Sequence, residues 1–240
     1  MIKLFRKIRY NLMETGKTSR YLKYAIGEII LVVIGILIAL SINNWNTTNQ
    51  AHKLELGILN ELKEGLKNDQ DLLKNTFKKD ENDQKVLLIL DSLLKNPKHP
   101  YSKDMDTLFG KVYGIRNVRL NHAFYEDLKS SGLQIIRDKH LRAQIVDLFE
   151  NNYRLLETFL ENERSVNQVV RPYYLDNFIA LDFQDSATPI DYQKIWIDHK
   201  YKNIVHYRII TLEFNQIQDY QNTIVAIENL IEKINNYISQ

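Results

Sequence analysis

One apolar segment near the N-terminus constrains this chain more than any other feature. Residues 25–42 are apolar apart from Glu28 and Ser41, and no polar side chain falls within Ile29–Leu40. A helix rises about 1.5 Å per residue, so the segment would span roughly 27 Å, close to the hydrocarbon thickness of a bilayer. We therefore predict a single transmembrane helix at residues 25–45, with Glu28 close to the aqueous end of the span.

Basic residues before this segment predict its orientation. Residues 1–24 carry seven basic side chains and one acidic side chain, whereas the first formal charge after the segment is Lys53. The positive-inside rule therefore places residues 1–24 in the cytoplasm and residues 46–240 outside it, which in a Gram-negative bacterium means an inner-membrane protein with a periplasmic domain. The side chains expected at the two membrane interfaces are Arg20, Tyr21, Lys23, Tyr24 and Trp45.

Two further features belong to this N-terminal region. A cleaved signal peptide is the alternative explanation of the apolar segment, because Ala39-Leu40-Ser41 is a small-x-small sequence; the basic region before it is, however, long for a signal. Met1–Met13 has an apolar face opposite a basic face. This amphipathic pattern predicts a segment that lies along the membrane surface.

The distribution of charge argues against nucleic-acid binding by the outer region. The whole chain has a formal net charge of +2, and residues 1–24 account for +6, so residues 25–240 carry a net charge of −4. An acidic domain lacks the basic surface that nucleic acid requires. The sequence contains no cysteine, which excludes disulfides and thiolate chemistry.

Sequence signatures of catalysis and of metal or nucleotide binding are missing or incomplete. Asp80-Glu81-Asn82-Asp83-Gln84 resembles the start of a calcium loop, but the glycine and the final glutamate of such a loop are absent. Ser130-Ser131-Gly132 has no flanking nucleophile motif, and His199 and His206 are a weak candidate pair for a metal. We therefore expect no catalytic residue, no metal and no cofactor.

The outer region is predicted to be helical almost throughout. The apolar spacing indicates helices near 50–95, 102–113, 122–131 and 139–170, separated by groups of Gly, Pro and Asn. Gly132 is expected to end one helix with positive φ, and Asp138 to cap the next. Pro172 is read as a helix breaker, and 173–193 as a short docked helix and loop rich in aromatic residues.

The last segment has the clearest pattern. Isoleucines and one tyrosine alternate spacings of three and four, as the core positions of a coiled coil do. Such a seam can join several chains or pack inside this one, and we favour an internal bundle because two other helices also carry apolar stripes. The seam residues are Ile217, Tyr220, Ile224, Ile227, Ile231, Ile234 and Ile238.

Small residues share one face of the predicted membrane helix. Gly35 and Ala39 form a small-xxx-small pair, and Gly27 lies two turns earlier on the same face. Such faces let two helix backbones approach closely within a bilayer. They predict an association surface for a second copy or for another envelope protein.

Three stretches resemble a bacterial family of uncharacterised single-pass inner-membrane proteins. They are Tyr21–Asn46, which reads YLKYAIGEIILVVIGILIALSINNWN, the basic opening MIKLFRKIRYNL, and Tyr125–Gly132. The resemblance is strong over the first 46 residues and diffuse beyond them. It implies a membrane protein with a helical outer domain, and it brings no known activity, substrate or catalytic residue.

The expected fold is mainly α: one transmembrane helix followed by an extracytoplasmic helical bundle with coiled-coil-like packing. The expected function is that of a non-enzymatic, membrane-anchored interaction or scaffold protein of the cell envelope. An alternative is a ligand-sensing domain whose aromatic residues at 173–183 line a pocket and which relays its signal through a partner. A hydrolase would require an apolar cleft lined by paired carboxylates.

Overall fold

A computed structural model describes residue 10 and residues 18–239, apart from 117 and 183. The described chain is mainly helical. Helix α1 runs without a break from Thr18 to Leu93. The amphipathic segment Met1–Met13 lies outside the described residues except for Tyr10.

The chain divides into two compact units, Met1–Glu55 and Leu56–Gln240. In the first unit, α1 is long and apolar enough to cross a membrane, and none of its most apolar window is buried by other described residues. Large aliphatic side chains such as Ile29, Leu31 and Ile42 are more than half exposed. An exposed run of this kind is what a lipid-facing helix presents.

The second unit contains the remaining elements. They are α2 Met105–Gly110, α3 Ala123–Ser131, α4 Lys139–Asp147, α5 Arg154–Asn177, β1 Phe178–Asp182, β2 Ser186–Pro189, α6 Tyr192–Ile197, α7 His199–Leu212 and α8 Gln218–Ile238. A π-helical segment, Leu148–Tyr153, joins α4 to α5, and a second one, Glu213–Ile217, joins α7 to α8. A 3₁₀ turn at Leu133–Ile135 follows α3.

Two local signals set the boundary between α3 and α4 as expected. Gly132 has a φ of 98°, so it supplies the left-handed residue that ends α3. The Asp138 carboxylate accepts a hydrogen bond from the Leu141 N–H at 2.7 Å and caps α4.

The prediction for 173–193 was wrong. Helix α5 continues through Pro172 to Asn177, and the chain then forms an antiparallel hairpin in which Phe178 pairs with Pro189. Gln168 and Pro172 are both exposed, so solvent can serve the carbonyl that the missing proline N–H leaves free. The hairpin packs on α2 so closely that a Cβ atom at Gly110 would collide with the Ser186 backbone.

Apolar side chains form two separate cores in this unit. The first core joins the part of α1 from Leu59 to Leu73 with α3, α4, the start of α5 and α8. The second joins the end of α1, from Leu87, with α2, the later part of α5, β1, α6 and α7. Helices α1 and α5 contribute to both cores, and this shared contribution ties the unit together.

Charged side chains occupy the stripe between the two cores. Asp80 and Asp83 on α1 and Glu163 on α5 each lie between residues of the first core and residues of the second. Arg116, in the loop after α2, and Arg208, on α7, join them, and all five side chains are buried. We call these five residues the buried ion cluster.

Candidate functional site

The centre of the buried ion cluster is a pair between Glu163 and Arg208. Arg208 Nη1 donates to both Glu163 carboxylate oxygens, at 2.7 and 2.8 Å. The remaining guanidinium nitrogens donate to backbone carbonyls, Nε to Val112 at 3.2 Å and Nη2 to Gly114 at 2.8 Å. Glu163 Oε2 also accepts from the Arg116 N–H at 3.1 Å, so both charges are well compensated.

The other half of the cluster is less well paired. Arg116 Nη2 donates to Asp83 at 3.3 Å, and Lys111 forms a second bridge to Asp83 at 3.1 Å. Asp80 lies 3.8 Å from Arg116 Nε, beyond hydrogen-bond length. Among the described residues, Asp80 Oδ2 and Arg116 Nε and Nη1 are buried without a hydrogen-bond partner.

Burial perturbs the titration of two members of the cluster. Burial raises the pKa of Asp80 to about 6, and the Arg116 guanidinium opposes part of that effect. Burial also lowers the pKa of Arg208, while the Glu163 carboxylate works in the opposite direction. The cluster therefore holds a carboxyl group that can take up a proton under mildly acidic conditions.

A groove of about 1040 Å³ opens beside the Glu163–Arg208 pair, between α5 and α7. Its size is at the upper end of the range of small-molecule sites, and its walls are mostly apolar. The lining residues are Phe159, Asn162, Glu163, Ser165, Val166, Val169 and Val170 on α5, and Lys200, Asn203, Ile204, His206, Tyr207, Ile210, Thr211 and Gln216 on α7 and the π-helical segment after it.

The groove is lined by one carboxylate among the described residues, that of Glu163. Arg208 Nη1 donates to both oxygens of this carboxylate. The described lining residues do not include the paired carboxylates that a hydrolase would require. At one end, the Gln216 amide oxygen is buried without a hydrogen-bond partner in the described chain.

The predicted membrane residues lie along α1. No atom lies within 4 Å of the position a Cβ would take at Gly27 or Gly35, and Ala39 is exposed, so the described structure leaves this face open. Lys23 and Trp45 are exposed, whereas the side chains of Arg20, Tyr21 and Tyr24 lie outside the described part. Their roles at a membrane stay predictions.

The isoleucine seam of α8 faces this chain's own first core. Tyr220, Ile227 and Ile234 are buried there, together with Leu230 and with Thr223 in the same stripe. The remaining seam residues are partly buried beside a core: Ile217, Ile224, Ile231 and Ile238. The buried stripe is thus centred slightly to one side of the predicted seam.

The aromatic residues expected to line a pocket instead fill the second core. Tyr174 stacks on Phe178 with ring centroids 4.3 Å apart, and both side chains are buried. The groove begins one turn earlier on α5, at Val170. Phe183 lies outside the described residues.

The structure also locates the weaker sequence motifs. His199 and His206 are exposed on α7, and no cluster of three potential metal ligands occurs among the described residues. The sequence Asp80–Gln84 is helical within α1, so it is no calcium loop. Ser130 and Ser131 form the last turn of α3.

Sequence reasoning missed the buried ion cluster. The available signal was positional: Asp80 and Asp83 stand where the apolar stripe of α1 calls for leucine, and Glu163 interrupts the stripe of α5 in the same way. A charged residue at a core position requires a buried partner. Which basic residue supplies that partner cannot be inferred from periodicity, because Arg116 lies in a loop.

Comparison with known proteins identifies one matching family, whose function is unknown. Searches of curated proteins and of solved structures found no match. A profile described as "Family of unknown function (DUF6090)" matches residues 28–178, which include Tyr125–Gly132 and all but the first few residues of the apolar segment. Since this match covers more than half of the sequence, the chain belongs to the DUF6090 family, a family of unknown function.

Proposed function

We propose that this protein is a non-enzymatic interaction module of the bacterial cell envelope, anchored by α1 and carrying its second unit outside the cytoplasm. The observation that carries the proposal is the unburied apolar run of α1, which has no covering partner among the described residues. Leaving such a surface in water is costly, since each Å² of apolar surface removed from water is worth about 25 cal/mol. A lipid bilayer removes this cost.

The orientation is supported by the charge asymmetry. Seven basic residues precede the apolar run, and the first charge after it is Lys53. The same basic residues suit the anionic inner leaflet, where each is worth about 1 kcal/mol near the surface.

The absence of cysteine makes a direct test of this topology possible. Single cysteines would be introduced at Thr15, before the span, and at Thr158, an exposed position on α5. Cells with a permeabilised outer membrane and an intact inner membrane would then be treated with a membrane-impermeant maleimide. We expect labelling at position 158 in these cells, and labelling at position 15 only after lysis. Release of either variant by high-salt washing, or the reverse labelling pattern, would overturn the proposal.

Self-association through the membrane helix is the second part of the proposal. Gly35 and Ala39 leave room for a second helix on one face of α1. Replacing both with leucine should lower the oligomeric state in mild detergent, whereas Val33→Leu, on the opposite face, should leave it unchanged. An unchanged assembly in the double variant would remove this contact from the proposal.

The groove between α5 and α7 favours a second candidate function, extracytoplasmic ligand binding. It is large, and its lining surface is more apolar than polar, as in small-molecule sites. An anchored domain with such a groove would act as a sensor that relays occupancy to a membrane partner.

A further inference from the structure

The two walls of the groove belong to helices that run in opposite directions. Glu163 lies opposite Arg208, and further along α5 the Tyr173 hydroxyl donates to Asp198, just before α7, at 2.7 Å. The lining stretch of each helix covers about three turns, or roughly 16 Å. The groove is therefore an elongated channel with two helical walls.

The walls carry an apolar surface that the described residues leave uncovered. Val169 is 59% exposed, Tyr207 is 53% exposed and Ile210 is 39% exposed, although all three line the groove. Val166 and Ile204 lie deeper and are buried. An elongated channel with apolar walls fits a hydrocarbon chain, which can extend along the groove.

The charged side chains that line the groove indicate which headgroup such a ligand would carry. Lys200 and His206 line the groove, and the one carboxylate among its described lining residues, that of Glu163, is neutralised by Arg208. Lys200 Nζ lies 5.7 Å from the centre of the Tyr173 ring, at the end of the groove where α7 begins. An ammonium group beside an apolar channel complements an anionic headgroup.

We propose that the groove between α5 and α7 binds a single-chain anionic amphiphile, such as a long-chain carboxylate. Its hydrocarbon chain lies between the valines of α5 and the isoleucines of α7, and its headgroup meets Lys200. This ligand class deepens the ligand-binding candidate of the preceding section. It does not depend on the orientation of the membrane helix, so the cysteine-labelling result and the ligand result can fail separately.

The test uses the full chain in nanodiscs of phosphatidylcholine and a palmitic acid that carries a photoreactive diazirine near the end of its chain. After irradiation, cross-links are mapped by mass spectrometry. We expect cross-links on the peptides that contain 159–170 and 200–211, and we expect excess unlabelled palmitate to suppress them. Cross-links confined to residues 25–45 would overturn the proposal, since they would report only the membrane anchor.

Matched variants test the two parts of the recognition. Ile210→Asp places a carboxylate against the hydrocarbon chain and should lower groove labelling more than about tenfold. Val225→Asp, at an exposed valine of α8 outside the groove, is the control and should not change it. Unchanged labelling of Ile210→Asp, with both variants keeping the circular dichroism spectrum of the parent, would overturn the proposal.

The headgroup assignment has its own comparison. Lys200→Glu should lower labelling by the photoreactive acid about tenfold, whereas Lys200→Arg should preserve it. Labelling by a photoreactive alcohol of the same chain length should not change in either variant. A photoreactive phospholipid with the same chain distinguishes a bilayer lipid from a free amphiphile as the source. Labelling that is indifferent to Lys200→Glu would overturn the headgroup assignment, and with it the ligand class.

Discussion

At the scale of single residues, the main feature is a set of charged side chains at positions where hydrophobic side chains are expected. Glu163 and Arg208 are both buried, and their side chains hydrogen-bond to each other and to nearby backbone groups. Breaking such a pair leaves one charge buried without compensation, and this costs far more than removing the pair as a whole. The arrangement fixes the loop that carries Val112 and Gly114 against α7.

Removing only one partner of this pair should therefore be severe. We expect Glu163→Gln to lower the free energy of unfolding by about 3 kcal/mol, because Arg208 keeps its charge in a buried site. Urea unfolding followed by circular dichroism measures the effect. Glu161→Gln, on the exposed side of the same helix, is the control and should change stability by less than about 0.5 kcal/mol. Similar losses in the two variants would contradict a special role for the pair.

Asp80 gives the cluster a dependence on pH whose sign follows from its raised pKa. The folded-state pKa of about 6 exceeds the usual value of 3.8, so the folded protein binds this proton more tightly than the unfolded chain does. The contribution of Asp80 is therefore fully present below about pH 4 and is lost as the pH rises through about 6.

Asp80→Asn removes this titration. Between pH 4 and pH 7 the variant should gain stability relative to the parent by up to about 3 kcal/mol, measured as the difference between their unfolding free energies at each pH. Other carboxyl groups are common to both proteins and cancel. Asp71→Asn, at an exposed position of α1, should show no such trend. Parallel stability curves for Asp80→Asn and its parent would contradict the assignment.

At the scale of elements, glycines separate positions where a side chain is excluded from positions where it is tolerated. The backbone of β2 at Ser186 occupies the space that a Cβ of Gly110 would need. Around Gly65, within α1, no atom lies within 4 Å of the corresponding position. A side chain added at Gly110 should therefore destabilise the protein, whereas one added at Gly65 should be tolerated.

Alanine substitution should show this contrast. Gly110→Ala forces α2 away from the hairpin and should cost about 1–3 kcal/mol, the usual penalty for overpacking. Gly65→Ala should instead stabilise the protein by about 0.5–1 kcal/mol, because glycine within a helix loses more backbone entropy on folding. Thermal unfolding of the two variants in the same detergent measures both signs. A stable Gly110→Ala protein would mean that α2 and β2 are not in close contact.

The elements also show what periodicity can and cannot predict. The helices over 50–95 and 122–131, the positive φ of Gly132 and the cap at Asp138 follow from local signals, and the structure contains each of them. The hairpin after α5 was missed because its short strands are defined by packing against α2, which is a long-range contact. The groove was missed for a related reason, since it depends on how α5 and α7 meet and not on either helix alone.

At the scale of the whole molecule, one apolar run and one charge asymmetry carry the proposed topology. In the proposed topology the apolar run is the part that inserts into the membrane, and it is compatible with either direction of the helix. Direction is assigned by the basic residues close to the span, whose effect is strongest within about 15–20 residues of its ends. In this chain those residues include Lys17, Arg20 and Lys23.

Changing the charge asymmetry should therefore change the orientation and leave insertion intact. In a variant with Lys17, Arg20 and Lys23 replaced by Asn, and with Thr47 and Thr48 replaced by Lys, part of the population should insert with residues 46–240 in the cytoplasm. The cysteine at position 158 would then lose part of its labelling by the impermeant maleimide, while the protein stays in the membrane fraction. Replacing Lys67, Lys74 and Lys78, which lie more than 20 residues from the span, removes as many positive charges and should leave labelling unchanged. Full labelling of both variants would mean that folding of the outer domain, and not the charge of the flanking residues, determines how this chain crosses the bilayer.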